Sequence, residues 1–341
     1  MDLTSAPAIE KKWQWRRLEV VESMSNFVAA HLHYLKPVAE SWQPQDLLPA
    51  MDVEEWVDEV SRLRQAAAGL PDDLLVVLVG DMVTEEALPS YQAFLTRLAG
   101  VADRSGVSES PWAQWSRGWT AEENRHGDLL HQYLYLSGRV DMGAVQRTVQ
   151  HLLRNGFDAG DGGDPYRAFI YTSFQERATR ISHRNVARLA QRTGDERLSR
   201  ICAMIAGDEA RHEKAYTAFV KRIFELDSNG AMLALRDMMK DGIAMPGQYM
   251  EDGAQGDLFD AFANVAQRLG VYTARDYAEI MRHLIGQWQI GSTMGLASAA
   301  AQAQDYLCDL PRRYQRLADR LDERAAQIPK TRFSWIYGRE A

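Results

Sequence analysis

Cysteine is nearly absent: the chain carries two, Cys202 and Cys308, among 341 residues. No Cys-x-x-Cys and no Cys/His finger can be assembled from them. That excludes a structural zinc site, and two isolated thiols suit a reducing compartment better than a disulfide scaffold. Long apolar runs are missing as well. No stretch approaches the ~20 uninterrupted apolar residues that span a bilayer. The segment from Met1 to Trp15 lacks the apolar block of a secretion signal. The sequence therefore reads as soluble, without a membrane partner. A basic balance is also missing. The 39 Lys and Arg stand against 47 Asp and Glu, a formal charge of −8, which argues against nucleic acid as a partner because phosphate binding calls for a basic face. What remains is 46% hydrophobic with nine tryptophans, an ordinary globular composition with apolar side chains enough for one large core.

Strand signals are scarce and helix formers dominate. Helical patterning runs over about 19–35, 53–67, 73–100, 112–137, 165–193, 195–225, 257–269, 273–288 and 297–324. Pro71-Asp72-Asp73, Ser110-Pro111 and Asp164-Pro165 have the chemistry of helix starts. Asn155-Gly156 through Gly162-Gly163 forms the clearest loop. Thr193-Gly194-Asp195 is so short a connection that the helices on either side must run antiparallel. Pro89 predicts a kink inside its helix. Two long helices before the central loop and two after it have the anatomy of a four-helix bundle, about 73–225, with additional C-terminal helices over about 257–324. The whole of 1–341 is expected to be one domain of the all-α class. The aromatic tail Phe333-Ser334-Trp335-Ile336-Tyr337 is expected to dock as a strand or extended arm.

The second and fourth long helices each carry Glu-x-x-His: Glu123-Asn124-Arg125-His126 and Glu209-Ala210-Arg211-His212. Residues i and i+3 share a helix face, so each motif aims a carboxylate and an imidazole at one spot. With eight histidines in the chain, roughly one such hit is expected by chance, and a single one is more often a solvated face. Two hits in corresponding helices are different. Each is preceded by a helix with an interior glutamate, Glu85 before the first and Glu176 before the second. One Glu from each of two helices and Glu-x-x-His from the other two is the ligand set of a di-iron carboxylate bundle. Four carboxylates also neutralise two divalent cations, so the set can be buried. Oxygen and imidazole ligands suit iron or manganese. Glu86 and Glu122 compete with Glu85 and Glu123. Glu123 is preferred because His126 follows it by three, and Glu85 because it shares a face with Leu78 and Met82.

The wording around these residues resembles a known family, the soluble acyl-carrier-protein desaturases. The resemblance is carried by Thr84-Glu85-Glu86-Ala87-Leu88-Pro89, Trp119-Thr120-Ala121-Glu122-Glu123-Asn124-Arg125-His126, Phe174-Gln175-Glu176-Arg177-Ala178-Thr179 and Asp208-Glu209-Ala210-Arg211-His212-Glu213. It runs from about Leu35 through Trp42-Gln43-Pro44-Gln45-Asp46 to the Phe333-Ser334-Trp335-Ile336 tail. The resemblance implies a homodimer of ferritin-like helical subunits and two Fe ions per chain, held by Glu85, Glu123, His126, Glu176, Glu209 and His212. It also implies O₂, electrons from ferredoxin, and a fatty acyl chain delivered on acyl carrier protein, with a cis double bond introduced at Δ9 of a C16–C18 chain. It places Thr179 beside the irons, and Trp42 and Asp208 on an electron route ending at His126. Asp208 would also orient a metal-bound imidazole. Asp260 and Arg316 would lie near the entrance for the carrier's phosphopantetheine arm.

Several positions depart from the plant members: Phe94 stands where Met is usual, Ala168 where Gly is, Ala159 where Pro is, and Val186 where Thr is. Larger groups at 94 and 168 would shorten or bend the acyl channel. Two basic stripes, Arg177/Arg180/Arg184/Arg188 and Arg312/Arg313/Arg316/Arg320, are candidates for meeting an acidic carrier, and each also reads as a solvated helix face. The Ala- and Arg-rich composition suggests the bacterial cytoplasm, with a mature plastid form as the alternative. Competing readings are an acyl-chain hydroxylase, an iron-storage bundle, and a ribonucleotide reductase-like radical subunit.

Overall fold

The computed structural model of the chain describes residues 8–50, 54–253, 256–325 and 327–341. Met1 to Pro7, part of the stretch read above for a secretion signal, lie outside the described residues. In chain order the helices are α1 (Ala8–Ser23), α2 (Ser25–His31), α3 (Trp56–Ala68), α4 (Asp72–Glu85), α5 (Leu88–Thr96), α6 (Pro111–Ser137), α7 (Met142–Asn155), α8 (Pro165–Thr193), α9 (Glu196–Leu226), α10 (Ser228–Asp241), α11 (Leu258–Leu269), α12 (Ala274–Gln287) and α13 (Ser298–Ala325). Among the described residues, the sole β feature is a bridge between Arg332 and Glu340. The class is all-α.

Helices α4, α6, α8 and α9 form a ferritin-like bundle: α8 lies along α9, α4 packs on α6 and α8, and α6 packs on α9. Helix α4 starts after Pro71 without a side-chain cap, whereas the other start signals read from the sequence are met by caps. Ser110 accepts from the Ala113 amide, Asp164 from Tyr166 and Asp195 from Leu198, with Pro111 and Pro165 in the first turns. Gly138 and Gly194 close α6 and α8 in the left-handed conformation. Two helices were not legible. Helix α7 fills the unassigned stretch between the segment 112–137 and the central loop, and α10 begins at Ser228-Asn229-Gly230, a turn-like triplet. Asp141 and Asp227 cap them, accepting from Ala144 and Gly230.

Pro89 does more than kink a helix. It ends α4 and begins α5, because a proline ring collides with the carbonyl four residues earlier, and that residue is Glu85, the last of α4. Helix α6 comes close to this break. A Cβ on Gly127 would meet backbone atoms of Glu85 and Glu86 at 3.3 Å, so glycine there lets the second bundle helix approach the end of the first. The tail is not a strand. Ser334–Ile336 form one 3₁₀ turn with Trp335 and Ile336 buried, and the Trp335 indole donates to Thr148 Oγ1 of α7 at 2.8 Å.

The core has two layers. One is rich in aromatics, among them Trp112, Trp115, Tyr166, Phe169, Tyr216 and Phe219. The other is mainly aliphatic, built on Leu74–Val83 of α4, Leu129–Leu134 of α6, Val186–Ala190 of α8 and Leu198–Ile205 of α9. On α6 and α9 the buried Glu123, His126, Glu209 and His212 fall between the stretches that belong to the two layers, while Glu176 of α8 lies among residues of the aromatic layer, between Phe174 and Ala178.

Candidate metal centre and the adjoining cavity

The bundle brings six side chains from four helices to one buried point. Glu85, Glu123, His126 and Glu209 form one group and Glu123, Glu176, Glu209 and His212 a second, each with ligand atoms within 4.8 Å of one another. Glu123 and Glu209 belong to both. His126 Nδ1 lies 3.8 Å from Glu85, 3.1 Å from Glu123 and 3.3 Å from Glu209. His212 Nδ1 lies 2.7 Å from Glu123 and 3.6 Å from Glu176. Both imidazoles thus turn Nδ1 inward. Glu86 points elsewhere and pairs with His131 at 2.5 Å.

Two observations fit this set to metal. First, Oε1 of Glu123, Oε2 of Glu176, Oε1 of Glu209 and Nδ1 of His126 and His212 are buried without a hydrogen-bond partner, although buried polar atoms are normally satisfied. Second, the electrostatics conflict without cations. Burial pushes Glu176 well above the usual carboxylate range and, with Glu123 nearby, raises Glu209 too. Burial also opposes ionisation of Glu85, yet the nearby His126 imidazole and the hydrogen-bonded His183 hold it at about 2. Two divalent cations among four carboxylates resolve the conflict.

The surrounding shell contains one expected pair and several residues the sequence reading missed. The Trp42 indole donates to Asp208 Oδ2 at 2.9 Å, and that oxygen lies 3.5 Å from His126 Nε2. The Trp42 ring stacks on His126 at 6.0 Å, with Arg125 over its face at 4.9 Å. Burial raises the Asp208 carboxyl, but His126 and Arg211 overrule it and leave it far below the usual range. Glu122, set aside as a competitor, is the counterpart of Asp208: its Oε2 lies 3.1 Å from His212 Nε2. A repeated acidic-Glu-x-Arg-His pattern, Glu122–His126 and Asp208–His212, was the available signal. Trp119 donates to Glu176 at 2.9 Å, and buried His183 Nε2 sits 2.8 Å from Glu85. For His183, no spacing rule connects it to Glu85, which lies 98 positions away.

An apolar cavity reaches the centre. Its inner part is lined by Glu85, Glu123, Glu176 and Glu209 on one side and by Phe94, Leu95, Phe157 and Tyr171 at its end. An outer cavity shares Thr84, Gln175, Thr179 and Pro246 with it and extends to Tyr277, Tyr314 and Leu317 between α11, α12 and α13. Thr179 therefore stands where the two meet, its hydroxyl donating to the Gln175 or Glu176 carbonyl at 3.1 Å. Phe94 lines the inner end. Ala168 and Ala159 are buried in the aromatic layer but off the lining, and Thr172, one turn beyond Ala168, takes the wall position. Val186 is buried in the aliphatic layer. Asp260 is exposed in the first turn of α11 and lines neither cavity. Arg316 lines a separate surface groove with Arg282 and Arg312.

The first basic stripe is partly spent on structure. Arg177 and Arg180 donate to Glu213 at 2.6 and 2.7 Å, and His283 lies 3.3 Å from it. Burial raises Glu213, but His283, Arg180 and Arg177 outweigh it and hold the carboxyl at about 2. An acid held below its ordinary range stabilises the fold above that range and loses the contribution as it protonates. Glu213→Gln is therefore expected to cost about 3 kcal/mol near neutral pH, at about 1.4 kcal/mol per pH unit. Urea unfolding should show the gap from wild type narrowing from about pH 5 downward; a gap independent of pH would refute the assignment.

Comparison with known proteins agrees with this geometry. A family profile described as fatty acid desaturase matches residues 16–337. The chain is 52% identical over 325 residues to the stearoyl acyl-carrier-protein 9-desaturase of Spinacia oleracea, a chloroplast protein, covering 95% of this chain and 82% of that one. It is 53% identical over 329 residues to desaturase 3 of the same name from Arabidopsis thaliana, with the same coverage. Among solved structures, one from Mycobacterium tuberculosis H37Rv, provisionally named an acyl-ACP desaturase, shares the fold with a TM-score of 0.53 at 17% identity, over 80% of this chain and 96% of that one.

Proposed function

Because this chain belongs to the fatty acid desaturase family, among the acyl-carrier-protein desaturases, we propose that it introduces a cis double bond at Δ9 of a saturated C16 or C18 acyl chain carried on acyl carrier protein, using two iron ions, O₂ and electrons from a ferredoxin. One juxtaposition supports the reading above all: four carboxylates of the buried Glu and His cluster line an apolar cavity that shares residues with a second, outer one. Family membership sets aside the iron-storage and radical-subunit readings.

Glu85 and His126 would hold one iron, Glu176 and His212 the other, and Glu123 and Glu209 both. Bound iron supplies the oxidising power against an unactivated methylene pair that no side chain has. The protein's own part is position and supply. The walls formed by Phe94, Leu95, Phe157 and Tyr171 exclude water and stop the chain end. Trp119 fixes Glu176 through its indole N–H. Thr179, a turn from Glu176, puts a hydroxyl at the waist of the channel, where it can hold a proton. Trp42, Asp208 and His126 form a continuous contact from near the surface to the centre, a route for electrons. On α13, whose Tyr314 and Leu317 line the outer cavity, the exposed Arg316 and Arg320 offer charge to an acidic carrier, with the exposed Asp260 on α11. We further propose the family's homodimer. A reducing compartment, bacterial cytoplasm or plastid stroma, accords with two unpaired cysteines. No helix among the described residues is long and apolar enough to cross a membrane.

The test is reconstitution with Fe(II), ferredoxin, its reductase and a series of acyl carrier proteins, followed by mass spectrometry of the products. An alkene between carbons 9 and 10 is the expected result. A hydroxylated chain would identify an oxygenase instead. No alkene at any chain length, with two irons bound, would overturn the reading.

A further inference from the structure

Each Glu-x-x-His motif has an arginine just before its histidine, yet Arg125 and Arg211 are used differently. Arg125 lies over Trp42 and reaches Asp208 at 3.5 Å. Arg211 Nη2 donates to two carboxylates at once, Glu122 Oε2 at 2.5 Å and Asp208 Oδ1 at 2.6 Å. Glu122 is the carboxylate against Nε2 of His212, and Asp208 the one against Nε2 of His126. One guanidinium therefore joins the outer supports of both inward-facing imidazoles. Its other nitrogen donates to the Tyr34 carbonyl. Two residues on, Lys36 repeats the bridge, its amide donating to Glu122 at 2.6 Å and its ammonium lying 3.4 Å from Asp208.

We propose that Arg211 is a positioning residue for both imidazoles, coupling the two halves of the centre through Glu122 and Asp208. The inference rests on the two-iron reading above. A carboxylate on the outer nitrogen of a ligating histidine fixes the ring and makes its inner nitrogen a better donor. A guanidinium on that carboxylate tempers the effect by drawing off charge. Because Arg211 touches both carboxylates, it tempers both rings together and keeps the two halves matched. A planar fork can serve two carboxylates with fixed angles, which an ammonium cannot. Without it both carboxylates pull harder on their imidazole protons, both rings donate more strongly, and the oxidised centre is favoured.

The test is Arg211→Gln in the iron-reconstituted protein, read by iron content, by Mössbauer spectroscopy and by the reduction equilibrium against a mediator of known potential. We expect two irons retained, both iron environments shifted, and the equilibrium constant for reduction lowered about tenfold, the scale on which residues behind metal ligands act. Asp208→Asn should shift chiefly one environment. A single shifted environment in Arg211→Gln, or none, overturns the coupling. If the glutamine variant fails to fold, Arg211→Lys is read the same way: reduction should be disfavoured to a smaller extent, and an unmoved equilibrium overturns the proposal. Wild type lacking two irons per chain would instead overturn the two-iron reading itself.

Discussion

Glu209→Ala is expected to bind less than one iron per chain and to give no detectable alkene. The argument is positional. Glu209 is buried on α9 and belongs to both ligand groups, as only Glu123 also does. Deleting a terminal ligand such as Glu85 weakens one site; deleting Glu209 removes an oxygen and a negative charge from both. The remaining three carboxylates no longer balance two divalent cations, and an uncompensated buried charge is costly. Metal binding and folding are linked, since the folded chain alone presents the assembled set. Fe(II) should therefore raise the melting temperature of wild type and leave that of Glu209→Ala unchanged. Iron analysis and thermal melts check this together with turnover. A variant that holds two irons and still desaturates would refute the shared-ligand geometry.

Phe94→Ala is expected to move chain-length preference toward longer acyl chains, changing the C18 to C16 ratio of kcat/KM at least about tenfold. Phe94 meets Phe157 and Tyr171 edge to face, at 5.8 and 5.9 Å between ring centres, and these rings close the inner end of the cavity beyond the carboxylates. Truncating one ring opens space for added methylenes, and an apolar pocket discriminates by about 10- to 200-fold per methylene. Competition assays with mixed acyl carrier proteins give the ratio directly. The double-bond position should hold, because the outer cavity, which Phe94 does not line, is untouched. An unchanged ratio would show that the chain ends elsewhere. Ala168, the other departure expected to act on the channel, predicts a smaller effect, since it is buried in the aromatic layer and not on the wall.

The six inward-facing residues were legible because helix periodicity turns a spacing of three into a shared face, and because the set recurs in both halves of the bundle. The choice of Glu85 over Glu86 also followed from periodicity, through Leu78 and Met82. Less visible was what Pro89 does there: the sequence announced a bend, while the structure shows α4 ending on Glu85 itself. Helices α7 and α10 were hidden by Gly138, Gly143 and Gly230 at their starts, residues that signal turns until an aspartate cap is recognised. Glu122 read as a rival to Glu123, when it serves the histidine of another helix.

The sequence by itself determined the all-α class, the antiparallel pairing across Gly194 and the Glu and His residue types of the candidate centre. These depend on local period, caps and residue type, which act within a few positions. Tertiary structure alone decided that Glu123 and Glu209 fall in both groups, that Arg211 touches both supporting carboxylates, that His183 backs Glu85, and that Phe94 and not Ala168 walls the cavity. Each of those is a contact between helices far apart in the chain. Its existence depends on how α4, α6, α8 and α9 are rotated and offset against one another, and that follows from packing the whole core and from no segment alone.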